Sequence, residues 1–98
     1  TTLFRSGKES VSRELELRNA RGLHARASAK FVETVERHDA TARVSRDGQT
    51  VAGDSIMGLL MLAAANGSTI HVTTEGPEAE KLMKALADLL ETRFGEDS

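Results

Sequence analysis

Gly22-Leu23-His24-Ala25-Arg26-Ala27-Ser28-Ala29 is the stretch on which the reading of this chain turns. Asn19-Ala20-Arg21-Gly22 ahead of it has the composition of a loop, and after it Ala25, Ser28, Ala29, Val32 and Val35 recur at helical spacing. The spacing predicts a helix from Ala25 to about Arg37, with His24 on or just before its first turn. A first turn has backbone N–H groups without helical partners, and the helix dipole adds partial positive charge there. No Ser, Thr, Asp or Asn immediately precedes the helix, so the reading expects no side-chain cap and leaves the N–H groups of Ala25, Arg26 and Ala27 for an anion. Phosphate is the natural candidate. An imidazole at that place, with Arg26 beside it, has the chemistry to carry a phosphoryl group.

Outward from this segment the pattern alternates between strands and helices. Val11, Arg13, Leu15 and Leu17 share one face of a strand over 11–18, with Ser12, Glu14, Glu16 and Arg18 on the other. Ala40, Ala42 and Val44 alternate with polar neighbours, Asp47-Gly48 makes a hairpin turn, and Gln49 to Ala52 returns. Asp54 or Ser55 caps a second helix, which is expected to end at Asn66-Gly67 in a left-handed C-cap. Thr69 to Thr74 alternates again, with Ile70 and Val72 inward. Gly76-Pro77 opens a last helix, with proline in its first position and a stripe of Ala79, Leu82, Met83, Leu86, Leu89 and Leu90.

The order β-α-β-β-α-β-α, with a polar face on each strand, implies an α+β open-faced sandwich: a four-stranded antiparallel sheet with three helices on one face. Residues 1–10 read as a flexible N-terminal tail, 11–94 as the domain, and 95–98 as a fraying C-terminal tail.

Ninety-eight residues suit one domain. A net charge of −2, three Phe and no Trp or Tyr argue against a nucleic-acid partner. No cysteine is present for disulfide or thiolate chemistry. The longest apolar run, Ile56 to Ala65, is too short to cross a bilayer, and residues 1–10 hold no signal-peptide core. A cytoplasmic monomer without a membrane partner is expected. His38 and His71 share no metal-ligand spacing with His24 and read as surface residues, so no metal is expected. No Walker loop, nucleophile elbow or dinucleotide fingerprint is present, and no cofactor is expected.

Two segments together resemble a known family. Gly22-Leu23-His24-Ala25-Arg26-Ala27-Ser28-Ala29-Lys30-Phe31-Val32 is similar to the active-site segment of HPr, the histidine phosphocarrier of the bacterial phosphotransferase system. Asp54-Ser55-Ile56-Met57-Gly58-Leu59-Leu60 is similar to the family's second signature. The element order matches as well, over about residues 11 to 94. The apolar second helix, the Ala63-Ala64-Ala65-Asn66-Gly67 run and the acidic end lean toward the nitrogen-related branch, NPr.

The resemblance implies that His24 accepts a phosphoryl group through Nδ1 from an Enzyme I-type donor and passes it to an EIIA-type acceptor. Arg26 is then the arginine that stabilises the phosphate. Such a protein is a transfer substrate more than an enzyme with its own turnover. Neutral imidazole suits the role, because it is nucleophilic near pH 7 without a helper base. One departure stands out: the family usually has proline where this chain has Ala27, which restores an N–H and loosens the turn at a cost of ~1 kcal/mol or less.

Ser55 reads first as an N-cap, and in some branches the matching serine is a regulatory phosphorylation site. Ile56, Leu59, Leu60 and Ala63 can face the core, with Met57 and Met61 opposite. Exposed methionine suits docking, and Ile56, Met57, Leu60 and Met61 fall in the family's partner-binding region. The alternative to a carrier is a regulatory module that binds target proteins through this surface, gated by phosphorylation of His24. A small-molecule-binding domain fits less well, since polar pocket residues are missing.

Overall fold

The computed structural model describes residues 9–96. The strands are β1 (Glu9–Glu16), β2 (Thr41–Arg46), β3 (Gln49–Ala52) and β4 (Thr69–Gly76). The helices are α1 (Ala25–Glu36), α2 (Ile56–Met61) and α3 (Ala79–Glu91), and a 3-10 turn follows at Arg93–Gly95. The sheet order is β1-β4-β2-β3, antiparallel throughout. The architecture is therefore the open-faced α+β sandwich that the patterning implies.

Period-two alternation sets the register. Val72 of β4 stands opposite Val44 of β2, Ile70 opposite Leu15 of β1, and Val44 opposite Val51 of β3. Against this apolar face lie Phe31, Val32 and Val35 of α1, Leu59 of α2, and Leu82, Met83, Leu86 and Leu90 of α3, forming one core. A register slip of one residue would move Ile70, Val72 and Val44 to the hydroxyl-rich open face, so burial specifies the pairing. Asp47 (φ 50°) and Gly48 (φ 82°) close the β2–β3 hairpin with the two positive φ values that a type I′ turn requires.

Several boundaries differ from those read in the sequence. β1 spans 9–16 rather than 11–18; residues 17 to 23 leave the sheet to build a loop bonded to the stretch after α2. α2 ends at Met61, not at Asn66-Gly67. Beyond it the Leu62 carbonyl accepts from Arg46 Nη1 (3.0 Å), and the Ala64 carbonyl accepts from Leu23 N–H (2.9 Å). Those carbonyls are aimed at tertiary donors, and Ala63 turns into the left-handed region (φ 51°) to let them. Gly67 (φ 86°) serves a separate turn, where its N–H donates to the Leu17 carbonyl (2.8 Å).

Pro77 lies two residues ahead of α3 rather than in its first position, because Glu78 is the N-cap residue. Glu78 is held across to the α1–β2 loop: Asp39 N–H donates to its Oε1 (2.8 Å), and its own N–H donates to the Asp39 carbonyl (3.0 Å). In the apolar stripe of α3, Leu89 is half-buried while the other five are buried. The proposed N-terminal tail falls mostly outside the described residues; Glu9 and Ser10 belong to β1. At the other end, Gly95 and Glu96 are not a free tail. Phe94 is fully buried, and Glu96 is bonded at the mouth of α1, while 97–98 lie outside the described residues.

Candidate active site

The loop into α1 is bonded from both sides. Gly22 N–H donates to the Asn19 carbonyl (3.2 Å), Leu23 N–H to Ala64, and Asn66 Nδ2 donates to the carbonyls of Arg18 (3.2 Å) and Asn19 (3.1 Å). Gly22 sits at φ 64°, and a Cβ there would lie 2.3 Å from the Ala64 oxygen. Only glycine allows this approach. The consequence is that His24 enters α1 at a fixed position with extended backbone (φ −80°, ψ −178°) and acts as its N-cap.

The cap overturns the expectation of an uncapped first turn. The His24 carbonyl accepts from Ser28 N–H (2.9 Å), and its Nδ1 accepts from Arg26 N–H (3.2 Å). The capping side chain is the imidazole itself, a residue type absent from the usual Ser, Thr, Asp and Asn. At its other edge, Nε2 stands 2.5 Å from Glu96 Oε2. A nitrogen that faces an N–H is the acceptor, and one that faces a carboxylate carries the proton. The bonding therefore assigns the Nε2–H tautomer and leaves the lone pair on Nδ1.

Glu96 is itself held, since its Oε1 accepts from Asn19 Nδ2 (3.1 Å), which also donates to the Gly22 carbonyl (2.8 Å). Burial pushes the Glu96 carboxyl up. The hydrogen bonds from Asn19 and His24, the attraction of His24 when its ring is protonated, and that of Arg21 outweigh that effect and hold it below the ordinary glutamate range. Ala20, Arg21, His24, Arg26 and Glu96 line an open pocket of about 590 Å³. The Arg26 guanidinium makes no ion pair among the described residues and stays available at the rim.

The residues read in the sequence fall in two places. His24 and Arg26 meet in the pocket, with Ala25 exposed beside them and Ala27 fully buried beneath. Ser55 is the N-cap of α2, its Oγ accepting from Gly58 N–H (3.0 Å). Ile56, Met57 and Met61 are exposed by 40%, 68% and 63%, which makes them the large apolar side chains open to solvent among the described residues. Leu60 is half-buried. Ile56 and Ala63 do not face the core, which takes Leu59 from this helix. α2 is too short, at six residues, to bury two faces.

His38 also differs from its reading as a plain surface residue. It is half-buried, and its Nδ1 bonds the Thr34 carbonyl (2.8 Å) at the end of α1. Sequence reasoning missed Asn19 and Glu96 as parts of the site. Asn19 lay within the loop signature, but the partner that ties it to the site, Glu96, is 77 residues away. Among the described residues no three His, Cys, Asp or Glu side chains are grouped to hold a metal ion, and no helix is long and apolar enough to cross a membrane.

Comparison with known proteins places this geometry in context. Residues 11–92 match the family described as the PTS HPr component phosphorylation site. The chain is 41% identical over 88 residues to phosphocarrier protein HPr of Xylella fastidiosa, covering 90% of this chain and 99% of that one. It is 43% identical over 86 residues to HPr of Neisseria meningitidis, covering 88% and 97%. A crystal structure of HPr from Thermoanaerobacter tengcongensis superposes with a TM-score of 0.86 at 36% identity, covering 90% of this chain and 99% of that chain. With a capped histidine at the start of α1, the sandwich around it and relatives that align over nearly their whole length, this chain belongs to the HPr family of phosphotransferase-system phosphocarriers.

Proposed function

We propose that His24 is the phosphoryl acceptor, that it reacts through Nδ1 with an Enzyme I-type phosphohistidine donor, and that it hands the group to an EIIA-type acceptor. The observation that carries this reading is how the ring is bonded: Nδ1 accepts from Arg26 N–H in the first turn of α1 while Nε2 faces the Glu96 carboxylate, an arrangement that favours the Nε2–H tautomer. Attack by Nδ1 on phosphorus forms an N–P bond. The bond from phosphorus to the donor breaks, and its electron pair leaves with the donor. Arg26 N–H, released from Nδ1, then joins the N–H groups of Ala25 and Ala27 in facing the phosphoryl oxygens at the positive end of the helix dipole. The exposed Arg26 guanidinium supplies a further positive charge.

The exposure of that arginine, outside any ion pair among the described residues, fits a carrier. A site that held the phosphoryl group with a full set of buried ion pairs would stabilise the loaded state and slow its release. Ile56, Met57, Leu60 and Met61 form the docking patch for both partners in this reading, since α1 packs on α2 and the loop into His24 is bonded to Ala64. Adaptable thioether side chains suit a surface that must fit two different proteins. The apolar exposure also favours a second use, in which regulatory target proteins bind there and phosphorylation of His24 gates the contact. The nitrogen-related branch, monomeric action and modification of Ser55 belong to the same reading. A phosphate on Ser55 would displace the Gly58 N–H bond and place negative charge beside the docking patch.

The test is incubation of the purified chain with phosphoenolpyruvate-charged Enzyme I from the same source, with His24→Ala as control. Acid-labile phosphate on the wild type alone supports the carrier. Label on neither protein from an active Enzyme I overturns it, and retained target binding by His24→Ala would then favour the docking module.

A further inference from the structure

Glu96 reaches His24 from the far end of the chain, and a separate set of contacts keeps it there. The Lys30 ammonium donates to the Phe94 carbonyl at 2.6 Å, and the Phe94 ring is fully buried. Arg93, Phe94 and Gly95 turn through φ values of 57°, 56° and 76°. Two successive non-glycine residues in the left-handed region are unfavourable in isolation. Burial of Phe94 and the Lys30 bond hold the turn, and the turn delivers the Glu96 carboxylate to Nε2. Buried Asn19 then fixes the second carboxylate oxygen. The imidazole is thus held on both edges, by Arg26 N–H and by a carboxylate that is itself immobilised.

Resting on the phosphocarrier reading of His24, we propose that Glu96 is a positioning residue for phosphoryl transfer, which holds the ring in its Nε2–H tautomer and keeps Nδ1 as the nucleophile. A hydrogen bond from Nε2–H to a carboxylate fixes which ring nitrogen carries the lone pair and makes that nitrogen more basic. The same bond acts in the outward step. When the Nδ1–P bond breaks, its electron pair returns to the ring; because Nε2 has kept its proton, neutral imidazole departs rather than imidazolate. Glu96 takes no proton in either direction and touches no reacting atom. Its effect runs through the ring it orients.

Nitrogen-15 NMR of the His24 ring, recorded for the wild type, Glu96→Gln, Glu96→Ala and Glu96→Asp, reads the tautomer directly. Parallel rates of phosphoryl acceptance from charged Enzyme I, and of onward transfer across pH, read the consequence. The expected result is one Nε2–H tautomer in the wild type and a mixture in the Gln and Ala variants. Acceptance in those variants falls by about tenfold, with partial rescue by Asp. Amide signals of Phe94 and Gly95 report whether the turn stays docked, and the near-isosteric Gln variant retains the shape if Ala does not. A purely structural role would leave the tautomer ratio unchanged. Wild-type label with an unchanged tautomer and rates within twofold in the Gln variant would overturn the role of Glu96 alone. Absence of label on the wild type would overturn the carrier reading and this role with it.

Discussion

Gly22 and Ala64 approach so closely that a Cβ on the glycine would stand 2.3 Å from the alanine carbonyl oxygen. That contact joins the loop before His24 to the segment after α2, and it is why the histidine meets its helix at one defined angle. Gly22→Ala is expected to destabilise the fold by about 3 kcal/mol, combining backbone strain at φ 64° with a clash against main chain that cannot rotate away. Urea denaturation checks the value, and a loss below about 1 kcal/mol would show that the loop relaxes freely.

Phe94 is the anchor of the C-terminal turn. Phe94→Ala removes a fully buried ring and is expected to cost about 3 kcal/mol, with loss of protection at the Gly95 and Glu96 amides in hydrogen exchange. Lys30→Met retains the aliphatic stem but not the 2.6 Å bond to the Phe94 carbonyl. It is expected to cost about 1 kcal/mol, with its effect on amide exchange confined to the same turn. Exchange that spreads evenly over the sheet would contradict this local picture.

The lowered Glu96 carboxyl makes the docking of the turn acid-sensitive. A group whose pKa is depressed on folding adds stability above its unfolded value, here near the ordinary 4.5, and loses that contribution as pH falls through the folded value. Stability should therefore hold its Glu96 component above pH 4.5 and shed it below. Thermal denaturation of wild type and Glu96→Gln from neutral pH to pH 3 (a range of roughly four units) tests this. Their difference should shrink toward the acid end, and a constant difference would show that the carboxylate is not coupled to folding.

Ser55→Ala removes the side-chain acceptor of Gly58 N–H and is expected to cost about 1 kcal/mol, measured by chemical denaturation. A value near zero would mean that the tertiary contacts of Leu59 alone hold the helix.

Met57→Lys and Met61→Lys alter side chains that are 68% and 63% exposed, so stability should change by less than about 0.5 kcal/mol. Acceptance of phosphate from Enzyme I should fall through a raised KM if this patch docks the donor. Unchanged kinetics would remove α2 from the docking surface.

The strands, the hairpin and the long helices were legible because their causes are local. Period-two alternation in Thr69 to Thr74, the Asp47-Gly48 turn and the stripe from Ala79 to Leu90 each report burial through spacing alone. His24 and Arg26 were legible for the same reason, since a loop followed by a helical pattern marks a first turn. The end of α2 was not. Nothing within 62–68 says that the carbonyls of Leu62 and Ala64 are wanted by Arg46 and Leu23, which are distant in sequence.

Residue type and period were enough for the order of elements, the buried faces of the strands and of the two long helices, and the histidine at a helix start. The tertiary structure alone decided the state of that histidine. Its Nδ1 accepts from Arg26 N–H two residues on, and its Nε2 faces a carboxylate 72 residues away. A tautomer depends on what stands within hydrogen-bond reach of each ring nitrogen. In this chain one of those neighbours is delivered by a turn that the buried Phe94 anchors.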